Sequence, residues 1–112
     1  MDIKPGDVVL CEFYFSDFQK SKRRPVVVLK DNLPFDDFVG IPISSKIEKL
    51  NSDESLLESS DIRGGTLPKT SKVMVRKTFV ISKAVVQKKY GELTESRFEQ
   101  LHGDFCRYFG CC

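Results

Sequence analysis

Asp7-Val8-Val9-Leu10-Cys11-Glu12-Phe13-Tyr14-Phe15 and, a little further on, Pro25-Val26-Val27-Val28-Leu29 are the stretches whose reading decides the fold. The first is rich in β-branched and aromatic residues and alternates, which places Val9, Cys11, Phe13 and Phe15 on one face of a strand. The second is a short continuous apolar run, the pattern of a strand covered on both faces. Asp31-Asn32-Leu33-Pro34 supplies turn chemistry, and Phe38–Ile43 follows as a third strand. Pro42 has no N–H for a ladder bond, so it belongs at an edge or a bulge of that strand. Asp36-Asp37 suggests a metal pair, but adjacent strand residues face opposite ways, and the pair reads better as the turn before the third strand.

Residues 44–70 are polar and loop-like, punctuated by Gly64-Gly65 and Pro68, with a short strand expected around Ser55–Glu58. Lys72–Ile81 alternates again and is predicted as one strand with Val73, Val75, Phe79 and Ile81 on one face. Ala84–Gln87 reads as a turn or short strand and Lys88–Leu93 as a brief strand containing Gly91. The period then changes. Thr94 is an N-cap residue, Glu95 favours the first turn, Phe98, Leu101, Phe105 and Tyr108 recur at helical spacing, and Gly110 is a stop. Short strands separated by turns and one amphipathic C-terminal helix predict a small barrel or a strongly bent antiparallel sheet with the helix packed on it. Periodicity alone does not name the barrel.

At 112 residues, 40% of them hydrophobic, the chain is expected to form a single domain, 1–112, with one core that needs no covalent staples. No run of about 18 apolar residues is present, so no membrane-spanning helix is expected. The opening Met1-Asp2-Ile3-Lys4-Pro5-Gly6-Asp7 has neither the basic start nor the apolar stretch of a signal peptide, and a cytoplasmic location is expected. Four cysteines, Cys11, Cys106, Cys111 and Cys112, contain no C-x-x-C pair and lack histidines at zinc spacing, so they read as reduced, with one or two in the core. The chain has one histidine, which excludes any mechanism needing two.

A net charge of +2 conceals a segregated distribution. Lys20-Ser21-Lys22-Arg23-Arg24 is nearly all basic, and between Ile62 and Gly91 there are eight basic residues and no acidic one. Between Glu48 and Asp61 the balance reverses, with five acids against Lys49. Basic segments of this kind are the electrostatic footprint of a protein that meets a polyanion, or else a solvated face.

Several pieces, taken in order and at their spacings, resemble the MazF/PemK toxins of type II toxin–antitoxin systems. They are Lys4-Pro5-Gly6-Asp7-Val8-Val9, Ser21-Lys22-Arg23-Arg24-Pro25 running into Val26-Val27-Val28-Leu29, and Ile41-Pro42-Ile43-Ser44-Ser45. Ser71-Lys72-Val73, Lys77 to Lys83 and Gly91-Glu92-Leu93-Thr94 complete the pattern, which covers about residues 3 to 105. The resemblance implies an SH3-like antiparallel β-barrel of the MazF/CcdB toxin type with a C-terminal helix, usually a homodimer. It implies metal-independent, sequence-specific cleavage of single-stranded RNA by the ribose 2′-hydroxyl, leaving 2′,3′-cyclic phosphate and 5′-hydroxyl ends, with no cofactor. It also implies a cognate antitoxin whose acidic, flexible segment occupies the RNA groove. The catalytic arginine carries over to Arg24 and its hydroxyl partner to Ser44, where serine stands in place of the commoner threonine and Ser45 is one residue away.

The chemistry fits these residue types. In-line attack by a 2′-hydroxyl builds negative charge on phosphate oxygens, which a guanidinium fork binds two at a time while keeping its own charge. Lys20, Lys22 and Arg23 then read as a mobile first loop over the RNA backbone, with Lys77 and Ser45 as further RNA contacts and Phe18 as a base-stacking candidate. His102 lies beside the helix stripe and reads as a structural or surface histidine rather than a base. Two other readings compete: a CcdB-like barrel that poisons DNA gyrase by protein binding, and a relative that binds RNA without cleaving it.

Overall fold

The computed structural model describes residues 2–14 and 21–111, Tyr14 by its backbone alone. Phe15, Phe18 and Lys20 therefore lie outside the described residues. Among the described residues there are eight strands: β1 (Asp7–Tyr14), β2 (Ser21–Lys30), β3 (Asp37–Ser44), β4 (Glu54–Leu57), β5 (Ile62–Arg63), β6 (Ser71–Met74), β7 (Phe79–Ser82) and β8 (Val86–Leu93). The α-helix α1 (Glu95–Phe109) follows them. The strands form a single antiparallel path β4-β6-β3-β2-β1-β8-β5, with β7 also paired to β3. The end strands β4 and β5 each have one neighbour among the described residues, so the sheet is a half-barrel with a C-terminal helix.

Both faces of the central strands are covered, as the apolar run in β2 requires. Val27 joins Val8, Ile41, Ile43, Val73, Leu93 and Leu101 in one cluster. Val26 and Val28 point the other way, into a second cluster with Ile3, Val9, Cys11, Phe38 and Ile81. Helix α1 fills the hollow side of the first cluster through Leu101, Phe98 and Phe105. Its start is capped by Thr94, whose hydroxyl accepts from Arg97 N at 3.3 Å, and Gly110 ends it in the left-handed conformation with φ 72°. Arg97 is buried and ties the helix to β4, donating from Nη2 to Ser55 Oγ (2.7 Å) and Leu56 O (2.9 Å).

Three expectations change. The stretch Lys72–Ile81 is not one strand but β6 and β7 separated by a 3-10 turn at Val75–Lys77. Thr78 Oγ1 donates to Val75 O (2.7 Å) and Arg76 N donates to Asp53 Oδ2 (2.9 Å), which holds the turn closed. Lys22 and Arg23 lie in β2 rather than in a loop, because β1 pairs with them from Phe13↔Lys22 to Glu12↔Arg23. Ala84–Gln87 and Lys88–Leu93 merge into the single strand β8 after a 3-10 turn at Lys83–Val85. Pro42 stands where β3 exchanges one neighbour for another: β7 pairs with Asp37–Gly40 and β6 with Ile43–Ser44. A residue without an N–H fits at such a break.

Candidate functional site

Lys22 and Arg24 occupy alternate positions of β2 and so share a face. The β2–β3 register, Val27↔Ile41 and Val26↔Pro42, continued to the end of β3, sets Arg24 opposite Ser44. Both line one surface depression of about 350 Å³, together with Lys22, Ser45, Lys46 and Lys77. Lys77 arrives there because the turn between β6 and β7 bulges out beside the Pro42 break. A second depression of about 410 Å³ shares Lys22, Arg24, Met74 and Lys77 with the first and adds Phe13, Pro42 and Phe79. The Phe13 and Phe79 rings lie 5.7 Å apart and tilted by 45°. A cationic floor with hydroxyls on one side thus borders an aromatic wall on the other.

Ser44 is half-buried and its Oγ accepts from Lys46 N at 3.1 Å, which leaves its hydroxyl proton available to donate. Neither lining contains a carboxylate, an imidazole or a thiol among the described residues. Lys22, Arg24, Lys46 and Lys77 make no ion pair among the described residues, whereas Arg23 is held by Glu12, Nε to Oε2 at 2.9 Å. Arg23 reaches the rim of the first depression but is tied to its cross-strand carboxylate. Elsewhere three basic residues are paired with the acidic segment between Glu48 and Asp61. Lys72 Nζ meets Glu54 Oε1 at 2.9 Å, Arg76 Nε meets Asp53 Oδ2 at 3.8 Å, and Arg97 Nε meets Asp61 Oδ2 at 3.7 Å. Backbone hydrogen bonding from Asn51, and then Lys72, hold the Glu54 carboxyl below its ordinary range.

The remaining candidates fall outside this cluster. His102 is exposed on α1 beside Phe98, with ring centroids 6.5 Å apart, and lines neither depression. Asp36 closes a 3-10 turn at Pro34–Asp36 and Asp37 begins β3. Cys11 sits opposite Arg24 in the second core cluster, where burial pushes its thiol up to about 11 and keeps it protonated at neutral pH. Sequence reading missed Phe13, Lys46 and Phe79. Phe13 and Phe79 read as ordinary core residues of alternating strands, and Lys46 carried no signal beyond following the two serines.

Residues 4–109 match the PemK-like, MazF-like toxins of type II toxin–antitoxin systems. The chain belongs to that family. Solved structures of toxins share its architecture at low identity. A Deinococcus radiodurans MazE–MazF structure superposes with a TM-score of 0.76 at 17% identity, covering 96% of each chain. A mycobacterial endoribonuclease in complex with its cognate antitoxin superposes at 0.75 with 15% identity, covering 97% of this chain and 96% of that one. The Mycobacterium tuberculosis toxin MazF-mt6 superposes at 0.66 with 19% identity, covering 91% and 96%. No curated protein sequence matches the chain. No helix among the described residues is long and apolar enough to cross a membrane.

Proposed function

We propose that this MazF-like toxin is an endoribonuclease that cuts single-stranded RNA at specific sequences without a metal ion. The observation that carries the reading is the meeting of Arg24, Lys22 and Lys77, none of them neutralised by a carboxylate among the described residues, with the hydroxyl of Ser44 in one depression. Such a cluster costs electrostatic self-repulsion in the folded protein, which a bound phosphodiester relieves. Arg24 grips the non-bridging oxygens of the scissile phosphate and stabilises the charge that grows there as the ribose 2′-oxygen attacks. Its guanidinium, five N–H donors and no acceptor, acts as an electrostatic group rather than as a base. Ser44 donates to a phosphate oxygen and aligns it for in-line displacement. The O2′–P bond forms as the P–O5′ bond breaks, the 2′ proton passes to solvent water and the departing 5′-oxygen takes a proton from solvent, giving a 2′,3′-cyclic phosphate and a 5′-hydroxyl end. Lys22, Lys77 and Lys46 bind neighbouring phosphates, and the Phe13–Phe79 wall offers unpaired bases a stacking surface. Ser45 lies at the edge of the same depression, and Arg23, engaged by Glu12, reaches RNA only at the rim.

A cognate antitoxin with an acidic, flexible segment suits the same unneutralised cations, and we infer that it silences the toxin by occupying them. We also infer a homodimer, supported by the exposed aromatic end of α1 at Tyr108 and Phe109. The test is incubation of the pure protein with mixed-sequence RNA in EDTA, followed by mapping of the ends. Cyclic-phosphate and 5′-hydroxyl ends at a recurring sequence, lost on Arg24→Ala, are expected. Intact RNA, or equal cutting by the Arg24→Ala protein, overturns the reading, and capture of gyrase without RNA cleavage replaces it with a protein-directed poison.

A further inference from the structure

A third depression, of about 200 Å³, adjoins the first, since Pro25 and Ser45 line both. Its far wall is built by Leu67, Pro68 and Tyr90, with Lys69 beside them. Pro25 and Ser45 follow Arg24 and Ser44 in the chain, so the slot shares two residues with the depression in which the scissile phosphate would be gripped. We propose that this slot is a nucleobase subsite, holding the unpaired base of the nucleotide next to the cut and contributing to the choice of sequence. The proposal rests on the RNA-cleaving reading of the neighbouring depression.

Four features carry it. The walls pair an aromatic ring and two prolines with a hydroxyl at Ser45, and a base likewise presents a flat apolar face and a polar edge. The volume is little over half that of the adjoining depression, room for one base rather than a paired one. Lys69 is exposed and makes no ion pair among the described residues, leaving a cation for the phosphate that follows the base. The depression at Ser52–Ser55 and Tyr108 instead presents Asp53, Glu54 and Asp104, and its one cation, Arg107, is already paired with Asp104.

The slot is also built in advance. Gly65 lies so close to β8 that a Cβ there would stand 1.7 Å from the Tyr90 carbonyl oxygen, so only glycine lets the loop seat against the tyrosine strand. Ser71 Oγ donates to Lys69 O at 2.9 Å and fixes the loop's other end. Lys88 Nζ lies over the Tyr90 ring, 5.0 Å from its centroid, and restrains it. A wall already in place lowers the ordering cost of binding a base.

The experiment compares the wild type with Tyr90→Leu, which keeps apolar contact with the core but removes the ring, and Tyr90→Phe, which keeps the ring. Lys69→Glu, at an exposed position, serves as a second probe that leaves the core untouched. Ends are mapped on mixed-sequence RNA, and affinity is measured for 2′-O-methyl oligonucleotides, which cannot be cut through the 2′-oxygen. Tyr90→Leu is expected to cut RNA still, to lose base preference at one position flanking the cut, and to bind about tenfold more weakly. Tyr90→Phe retains the preference, and Lys69→Glu weakens binding with a shallower salt dependence. Unchanged base preference and affinity in a folded Tyr90→Leu protein overturn the subsite while leaving the nuclease intact. If Tyr90→Leu fails to fold, unchanged binding by Lys69→Glu overturns it. If the wild type cuts nothing, the nuclease reading falls and the binding arm still decides: weaker binding by the variants supports the subsite, and equal binding removes it.

Discussion

Lys22, Arg24, Lys46 and Lys77 crowd around one depression without a carboxylate partner among the described residues, whereas a second group of charges is closed upon itself. In that second group Asp7, 1% exposed, receives Lys89 Nζ at 3.1 Å and Lys4 Nζ at 3.3 Å, and Glu92 receives Arg63 Nε at 2.7 Å and the Lys4 ammonium. Lys72 on Glu54 follows the same pattern. The difference teaches that basic residues in this sequence have two employments. Those with partners stitch strands and the N-terminal segment together. Lys22, Arg24, Lys46 and Lys77, without carboxylate partners among the described residues, gather around one depression, where a bound anion would relieve their mutual repulsion.

The comparison breaks most visibly at Arg24. Arg24→Ala is expected to lower the rate of RNA cleavage by about 10²- to 10³-fold, as removal of one transition-state donor does, with an unchanged circular dichroism spectrum. Arg24→Lys is expected to recover little of that rate, since a point charge does not replace a bidentate fork. A fluorogenic RNA assay measures both, and a large rescue by lysine would reduce Arg24 to a simple counter-charge.

Lys72→Met is the counterpart in the paired group. It leaves the Glu54 carboxylate, 2% exposed, without its ammonium and is expected to cost about 2–3 kcal/mol in urea unfolding. Cleavage by the protein that remains folded should be unaffected. A loss of activity without loss of stability would move Lys72 into the functional group.

Salt dependence separates the two groups more gently. Removing one phosphate-binding cation should flatten the slope of log affinity against log salt by about 0.7 for a single strand. Lys22→Ala and Lys77→Ala are each expected to do so, and Lys89→Ala is not. Titration of a 2′-O-methyl oligonucleotide between low and moderate salt gives the slopes.

The smallest effect concerns acid. Hydrogen bonds from Lys4 and Arg63 hold the Glu92 carboxyl below its ordinary range, and Lys83 does the same for Asp31. A carboxyl whose folded pKa is depressed contributes stability that is complete above its unfolded value, near 4.3 for Glu and 3.9 for Asp, and is lost as pH falls through the lower folded value. Melting temperature should therefore fall below about pH 4.5, and Glu92→Gln should flatten that fall. RNA affinity near neutral pH should not change with Glu92→Gln.

How much of this was legible in the sequence differs by element. β1, the apolar part of β2 and α1 could be read directly, because alternation, a continuous apolar run and Thr94 with its helical stripe each report local geometry. The break between β6 and β7 could not. Alternation puts Val73, Val75, Phe79 and Ile81 on one face, but the turn at Val75–Lys77 leaves Val73 and Val75 in the first cluster and carries Phe79 and Ile81 to the second. Alternation reports that a residue is buried, not on which side. Lys22 and Arg23 look like loop residues by composition, and only pairing with Phe13 and Glu12 makes them strand. Arg24 taken alone is an ordinary surface arginine, and its importance came from the family pattern around Arg24-Pro25.

By itself the sequence determined that the chain is mainly β with one capped helix, that its basic and acidic residues are segregated, and that one chain alone supplies a single histidine. Those are local properties, set by side-chain period, cap chemistry and composition. Only the tertiary structure decided which cations are neutralised and which are left exposed together. That depends on strand register, on the Pro42 break that frees the Lys77 turn, and on the acidic segment folding back onto Lys72, Arg76 and Arg97. Charge order along a chain records which ions are present, but an ion's role depends on its neighbours in space, and register and packing choose those neighbours.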